Sequence, residues 1–323
     1  MCAERLRDPF GREVTSLRVS VTDRCNLVCF YCRPKSFVPC SRSELFTLEE
    51  IARVAEVAAA LGIGKIRLTG GEPLLRSGVV GLVERVARIP GIDDLALSSN
   101  GALLGGLAAP LAAAGLRRVN VSLDTLRPER LRAISGSGEL DRILDGIAAA
   151  RRAGLRPIKL NTVVIRGVND DEIGDIARFA ASHGAQARFI EYMPVGADPL
   201  WRDRHVARAE IVARLGRLLA DDPPRCGADP ATYYRLRDGS GEVGIISPIS
   251  CGFCSLCNRL RLTADGRLRP CLTSDGEIDL RTPLRAGARD AEIADLFRRA
   301  VAAKPERSRY VEAPARPMIA IGG

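Results

Sequence analysis

The sequence predicts an α/β fold, an open partial (βα)6 TIM-like barrel over residues 1–195 followed by a second module over 196–323. Short β-branched segments recur six times in the first part, and helix-period segments separate them. After about residue 195 the pattern breaks into turn-rich stretches such as GADPLW and DDPPRCGADP, then into cysteines. Six βα units in succession require parallel strands with right-handed crossovers, and six rather than eight leave the barrel open.

The predicted strands are LRVSV (17–21), KIRLT (65–69), DLALS (94–98), RVNVSL (118–123), IKLNTVVI (158–165) and ARFIEY (187–192). The clearest helix begins at Thr47, whose hydroxyl caps while Glu50 reaches back, with Ile51, Val54 and Ala58 on one face. Other helices follow Gly78, Gly105 and Asp141, and one begins near Asn169 and ends at His183, beside Gly184. In the second part YYRLR and EVGIIS read as short strands, and a last helix runs from about Asp290 to Ala303. The tail RSRYVEAPARPMIAIGG is too often interrupted by proline to be a helix.

Composition narrows the function classes. No stretch approaches the ~18 apolar residues of a membrane span, and the charged start MCAERLRDPFGRE does not read as a signal peptide. A cytoplasmic location with reduced thiols is therefore expected. The net charge is +9, and only Lys35, Lys65, Lys159 and Lys304 are lysines, arginine supplying the other 44 basic residues. Compositional drift explains that balance as well as a polyanionic ligand does. Few aromatics and no basic run among them argue against a single-strand stacking platform. Two histidines leave little room for a His-based zinc site or a Ser-His-Asp triad.

The ten cysteines cluster. Cys25, Cys29 and Cys32 form C-x3-C-x2-C on the loop after the first strand. Three thiolates there can wrap a [4Fe-4S] cube and leave one iron open. Gly70-Gly71-Glu72-Pro73, Ser99-Asn100-Gly101 and Ser122-Leu123-Asp124 sit at strand ends, where ligands bind in this architecture. Gly70 and Gly71 are suited to backbone approach to a ligand, although GGEP alone is compatible with an ordinary turn. Cys254, Cys257 and Cys271 form a second triplet, C-x2-C-x13-C, with an Asp265-Gly266 hairpin turn to bring Cys271 back. A tetrathiolate zinc site using Cys251 remains an alternative. Arg259 and Arg261 alternate onto one face and suit a phosphate chain, while R-x-R also arises by chance in so arginine-rich a chain.

The first triplet with Tyr31 before its last cysteine, and GGEP one βα unit later, closely resembles the radical S-adenosylmethionine superfamily. That resemblance implies that the open iron chelates S-adenosylmethionine, whose cleavage gives a 5′-deoxyadenosyl radical. Both triplets, FCSLCNRLRLTADG, KIRLTGGEP, RVNVSLD, RFIEYMP and the terminal Gly322-Gly323 are together similar to the GTP 3′,8-cyclase family, the A proteins of molybdenum cofactor biosynthesis, over nearly the whole chain. The resemblance implies two [4Fe-4S] clusters, on Cys25, Cys29 and Cys32 and in a C-terminal auxiliary iron-sulfur cluster module on Cys254, Cys257 and Cys271.

By the same resemblance Tyr31, Gly71, Ser122 and Met193 line the S-adenosylmethionine site. Arg18, Arg67, Ser98, Lys159, Arg259 and Arg261 contact GTP, with Lys65 and Arg188 as weaker matches. Arg18, Arg259, Arg261, Gly322 and Gly323 carry the catalytic step, in which the C3′ radical of the ribose adds to C8 of guanine. An external low-potential electron donor, hand-over to the next molybdopterin-pathway enzyme, and a monomer or homodimer without nucleic acid or membrane are expected. Ser98-Ser99-Asn100-Gly101 departs from the family's Thr-Thr-Asn-Gly by lost methyls. Cys251 lies outside the pattern and is either a substitute for Cys254 or free; Cys2, Cys40 and Cys226 read as ordinary thiols. The rival readings are a peptide-modifying radical S-adenosylmethionine enzyme with an auxiliary cluster and a zinc-ribbon nucleic-acid binder.

Overall fold

The computed structural model describes residues 5–195, 198–227, 230–308, 310 and 316–323; Cys2 lies outside them. Six parallel strands stand side by side in chain order: β1 (Ser16–Ser20), β2 (Lys65–Thr69), β3 (Asp94–Ser99), β4 (Arg118–Ser122), β5 (Ile158–Val164) and β6 (Gln186–Glu191). The helices between them are α1 (Leu48–Ala60), α2 (Val79–Ala87), α3 (Leu104–Ala113), α4 (Pro128–Ser135), α5 (Leu140–Arg152) and α6 (Ile173–Ser182).

The period of two along each strand separates two environments. Leu17, Val19, Ile66, Leu68, Leu97, Val119, Val121 and Leu160 are fully buried in one core with Ile51, Val54 and Ala58 of α1, each side chain contributing about 1.5–3 kcal/mol by burial. The alternate positions, Arg18, Arg67, Ser98, Asn120, Lys159, Asn161 and Arg188, take the opposite face. Thr47 caps α1 as its sequence requires: Glu50 N–H donates to Thr47 Oγ1 (3.1 Å), and Thr47 N–H donates to Glu50 Oε2 (2.7 Å).

Residues after 195 contribute α7 (Trp201–Arg204), α8 (Arg208–Leu215), β7 (Ala231–Arg235), β8 (Glu242–Ile246), β9 (Arg259–Leu262), β10 (Arg267–Arg269), β11 (Ile278–Asp279), α9 (Arg281–Arg285), α10 (Asp290–Ala302) and α11 (Met318–Ile321). Their strands extend both edges of the same sheet, in the order β11-β10-β9-β1-β2-β3-β4-β5-β6-β8-β7. Strand β9 pairs parallel with β1, placing Arg261 opposite Arg18, and β1 in turn places Arg18 opposite Arg67. Three arginines thus lie in one row across three neighbouring strands.

Several elements differ from the sequence expectation: α7, α8, α9 and β11 occupy stretches that were read only as turn-rich or were left unassigned, and two further differences bear on the site. Helix α4 arises where none was predicted, although Pro128 at its first turn and Gly136, with φ +74°, just beyond its end are ordinary boundary signals. The tail does form a helical turn, α11, because it lies wholly beyond Pro317 and loses no backbone donor to it. No helix among the described residues is long and apolar enough to cross a membrane.

Candidate active site

The polar face of the sheet opens on a cavity of about 320 Å3 that brings both cysteine triplets together. Around its wall stand Arg18, Arg67, Ser98, Ser122, Arg188, Met193, Arg259 and Arg261, with Tyr31 and Gly71 from the loops and Gly323 from the chain terminus. A larger groove of about 730 Å3 between α1 and α2 holds none of the candidate site residues.

The first triplet's loop is held by its own neighbours. Val28 N–H donates to Ser135 O (2.8 Å) and Phe30 N–H to Ile134 O (3.1 Å), so the carbonyls ending α4 fix the chain between the cysteines. Gly71 N–H donates to Thr22 O (2.7 Å). A Cβ on Gly70 would come within 2.4 Å of Thr22 O, and one on Gly71 within 2.4 Å of Arg24 O. The glycine pair therefore admits the backbone that leads into Cys25, a close approach that the sequence reading assigned to a ligand. Buried Glu72 ties this turn to the next strand end, accepting from Leu74 N–H (3.0 Å), Ser99 Oγ (2.9 Å) and Asn100 N–H (2.7 Å). Burial raises its carboxyl to about 7 against those bonds. Tyr31 Oη donates to Asp124 (2.6 Å), whose carboxyl burial raises to about 6.

The second triplet flanks the β9–β10 hairpin, with Cys254 and Cys257 before it and Cys271 after it, and the hairpin turns at Gly266 (φ +80°) as predicted from Asp265-Gly266. Cys254, Cys257 and Cys271 all face the cavity, whereas Cys251 is exposed and absent from its wall. Cys226 is exposed, and Cys40 lies against Asp23. Burial pushes the Cys257 thiol up, but Arg259 and Lys304 outweigh it and bring it down to about 7.

The donor sets fit iron–sulfur clusters. Each triplet sets three thiols on the wall of one cavity, one fewer than the four ligands of a structural zinc site, and Cys251 is not beside them on that wall. A cube that takes one thiolate on each of three irons needs its cysteines apart around an open space.

Arginine dominates the remaining wall. The Arg18 guanidinium is held well below its usual range by burial and then by Arg261, Arg67, Arg259 and Arg188. Arg261 falls to about 10, first through burial and then through Arg259, and still carries its charge at neutral pH. Lys159 donates to Tyr233 Oη (3.1 Å) and is not on the wall. Lys65 is exposed at the start of β2, away from the cavity.

The chain terminus lies in the same space. Arg261 Nη1 donates to Gly322 O (2.5 Å) and Thr69 Oγ1 to Gly323 O (2.6 Å). Gly322 has φ +90°, and a Cβ there would stand 2.9 Å from Ser20 Cβ. The sequence reading missed Asn161, which also lines the wall and accepts from Arg188 Nε (3.1 Å). Its signal was the alternation of IKLNTVVI, which puts it on the face of Lys159. It also missed Glu72 and Lys304 as buried charges; nothing in sequence marks either as buried.

Residues 19–180 match the Radical SAM superfamily and residues 185–310 match Molybdenum Cofactor Synthesis C. The chain is 51% identical over 303 residues to the GTP 3′,8-cyclase of Moorella thermoacetica, covering 93% of this chain and 94% of that protein. It is 50% identical over 326 residues to the GTP 3′,8-cyclase of Pelotomaculum thermopropionicum, covering 98% and 100%. Its fold is similar to Streptococcus suis SuiB bound to S-adenosylmethionine (TM-score 0.57, 13% identity, 82% of this chain and 63% of that one). It is likewise similar to anSMEcpe with bound AdoMet (TM-score 0.55, 14% identity, 90% and 81%). With half of its residues identical to those enzymes over nearly its whole length, the chain belongs to the GTP 3′,8-cyclase family of the radical S-adenosylmethionine superfamily.

Proposed function

We propose that this chain cyclises GTP to (8S)-3′,8-cyclo-7,8-dihydroguanosine 5′-triphosphate with S-adenosylmethionine, an early step of molybdenum cofactor biosynthesis. The observation that carries the reading is the single cavity shared by both triplets, the Arg261–Arg18–Arg67 row and the Gly322-Gly323 terminus. Residues 1–195 hold the first cluster on Cys25, Cys29 and Cys32, and residues 196–323 hold the second on Cys254, Cys257 and Cys271. When bound, the first cluster supplies the electron that cleaves S-adenosylmethionine to a hydrogen-abstracting radical, and the second offers guanine an open iron.

The chain's own residues place the reactants. Tyr31, Gly71, Ser122 and Met193 border S-adenosylmethionine. Arg18, Arg67, Ser98, Arg259 and Arg261 take GTP, the guanidiniums binding phosphate oxygens through charge-assisted bonds of about 1.5–3 kcal/mol each. Lys159 reaches the substrate only by leaving Tyr233. The terminal glycines bring backbone carbonyls and a carboxylate close to the substrate with no side chain to exclude it. Fixing both ends of a nucleotide holds one ribose hydrogen within reach of a radical that would otherwise attack whatever it met. The concentrated positive charge also draws in a polyanion, an effect that salt weakens.

An external low-potential donor supplies electrons, and the product passes to the next pathway enzyme; the reaction is cytoplasmic, in a monomer or homodimer. The test is anaerobic incubation of the reconstituted chain with S-adenosylmethionine, GTP and dithionite, followed by mass analysis of the nucleotide. Consumption of a peptide instead of GTP would favour the peptide-modifying reading.

A further inference from the structure

The segment from Lys304 to Ser308, which follows helix α10, lies against the second triplet and belongs to none of its sequence motifs. Lys304 is only 4% exposed. Its ammonium donates to Arg259 O (2.9 Å), Pro270 O (3.0 Å) and Cys257 Sγ (3.7 Å). An ammonium has three N–H donors, and here three acceptors receive them: one a triplet sulfur, one the carbonyl preceding Cys271, one two residues beyond Cys257. Four residues on, Ser308 N–H donates to Cys254 Sγ (3.3 Å) and Ser308 Oγ stands 3.4 Å from the same sulfur, close enough for its hydroxyl to donate to a thiolate.

The segment is fixed from behind by Arg12. Its Nη1 donates to Glu306 O (3.0 Å) and to Cys254 O (2.7 Å), its Nη2 to Pro305 O (2.7 Å), and its Nε to Asp8 (2.5 Å). One buried guanidinium thus fastens the strap and the triplet's first cysteine together. Lysine at 304 is also unusual for this chain, in which arginine supplies 44 of 48 basic residues. A planar guanidinium fork does not match three acceptors converging on one point, whereas an ammonium does.

We infer that the 304–308 strap sets the reduction potential of the second cluster, Lys304 by its charge and its bond to Cys257, Ser308 by its bonds to Cys254. This rests on the reading that Cys254, Cys257 and Cys271 hold that cluster. The physics is direct. Adding one electron makes the cluster and its sulfurs more negative, so a nearby cation and sulfur-directed donors stabilise the reduced form more than the oxidised one. Removing either donor lowers the potential and leaves the cysteines in place.

The experiment uses the full chain carrying Cys29→Ala, so that the second cluster is read alone, reconstituted anaerobically and titrated with EPR detection and iron analysis. Lys304→Met, of similar length and without charge, is expected to cut the reduction equilibrium constant of that cluster at least tenfold, which is 59 mV for a one-electron couple. Ser308→Ala is expected to lower it by a smaller factor in the same direction. Failure of the Cys29→Ala chain itself to hold iron or give a signal would refute the ligand assignment. Retained iron with unchanged midpoints in both variants would refute the strap's role. If Lys304→Met does not retain iron, Ser308→Ala decides: a lowered midpoint supports the inference, and an unchanged one overturns it.

Discussion

Replacing Gly322 with alanine is the sharpest test of the terminal tail. At φ +90° and ψ 109° the residue occupies backbone space that costs an L side chain roughly 1–3 kcal/mol. The new Cβ would also stand 2.9 Å from Ser20 Cβ and 3.2 Å from Thr69 Cγ2, both in strands that cannot easily yield. Against this stand the bonds that seat the tail, about 1.5–3 kcal/mol from Arg261 to Gly322 O and about 0.5–1.5 kcal/mol from Thr69 to Gly323 O. The two sums are comparable, so alanine should remove most of the net seating energy. A loss of roughly 2 kcal/mol lowers the seated population about thirtyfold. Gly322→Ala should therefore keep its iron and its fold, still form 5′-deoxyadenosine, and lose most of the cyclised nucleotide, as should a chain lacking Gly322 and Gly323. Mass analysis of nucleotide from the reconstituted variant is the assay. Wild-type product yield from Gly322→Ala would show that the tail's position in the cavity has no part in the reaction.

Further outcomes follow from other parts of the molecule. Cys29→Ala should abolish 5′-deoxyadenosine formation while iron remains at the second triplet; cleavage of S-adenosylmethionine at the parent rate would rule out the first triplet as the cluster that cleaves it. Arg259→Ala with Arg261→Ala should weaken GTP binding and suppress cyclised product, with uncoupled S-adenosylmethionine cleavage surviving; an unchanged GTP affinity by calorimetry would return R-x-R to the background of abundant arginines. Arg118 donates to both oxygens of Asp94 (2.7 and 2.6 Å), and the Asp94 carboxyl is lowered despite partial burial, chiefly through that arginine. A carboxyl lowered on folding adds stability that is present above its unfolded pKa and lost as pH falls through its folded value. The urea-midpoint gap between the parent apo-chain and Arg118→Met should be widest near neutral pH and narrow below about pH 4; a gap independent of pH would refute the pairing.

The six parallel strands were legible because each combines β-branched residues with a helix-period neighbour, and their boundaries fall within one residue of expectation. The register between distant strands was not. Nothing in FCSLCNRLRL says that β9 pairs with β1, yet that pairing sets Arg261 beside Arg18. Alternation placed Arg259 and Arg261 on one face, while the face itself depended on which edge of the sheet β9 joined. Helix α4 escaped notice because its eight residues carry little apolar periodicity, although its terminal carbonyls hold the first cysteine loop. Glu72 and Lys304 were invisible for another reason: charged residues are usually exposed, and only the folded chain shows which have been buried among partners.

The +9 balance left two readings open, compositional drift and a polyanionic ligand, and the structure separates them by position. Many surface arginines pair with carboxylates: Arg237 with Asp221, Arg88 with Glu84, Arg178 with Asp175, Arg235 with Asp222. Pairs of that exposed kind add little to stability and suit a chain that simply favours arginine. The cavity arginines are arranged otherwise. Arg18 is lowered by burial and by four other arginines, a cost that no folding argument requires, since apolar residues at the same strand positions would pack more stably. Like charges held together by a rigid sheet lose their repulsion when a polyanion enters. The same arrangement therefore costs the free chain stability and favours the bound one. Backbone pairing of β9, β1 and β2 sets Arg261, Arg18 and Arg67 in one row, so the repulsion cannot relax by moving one strand without breaking the sheet.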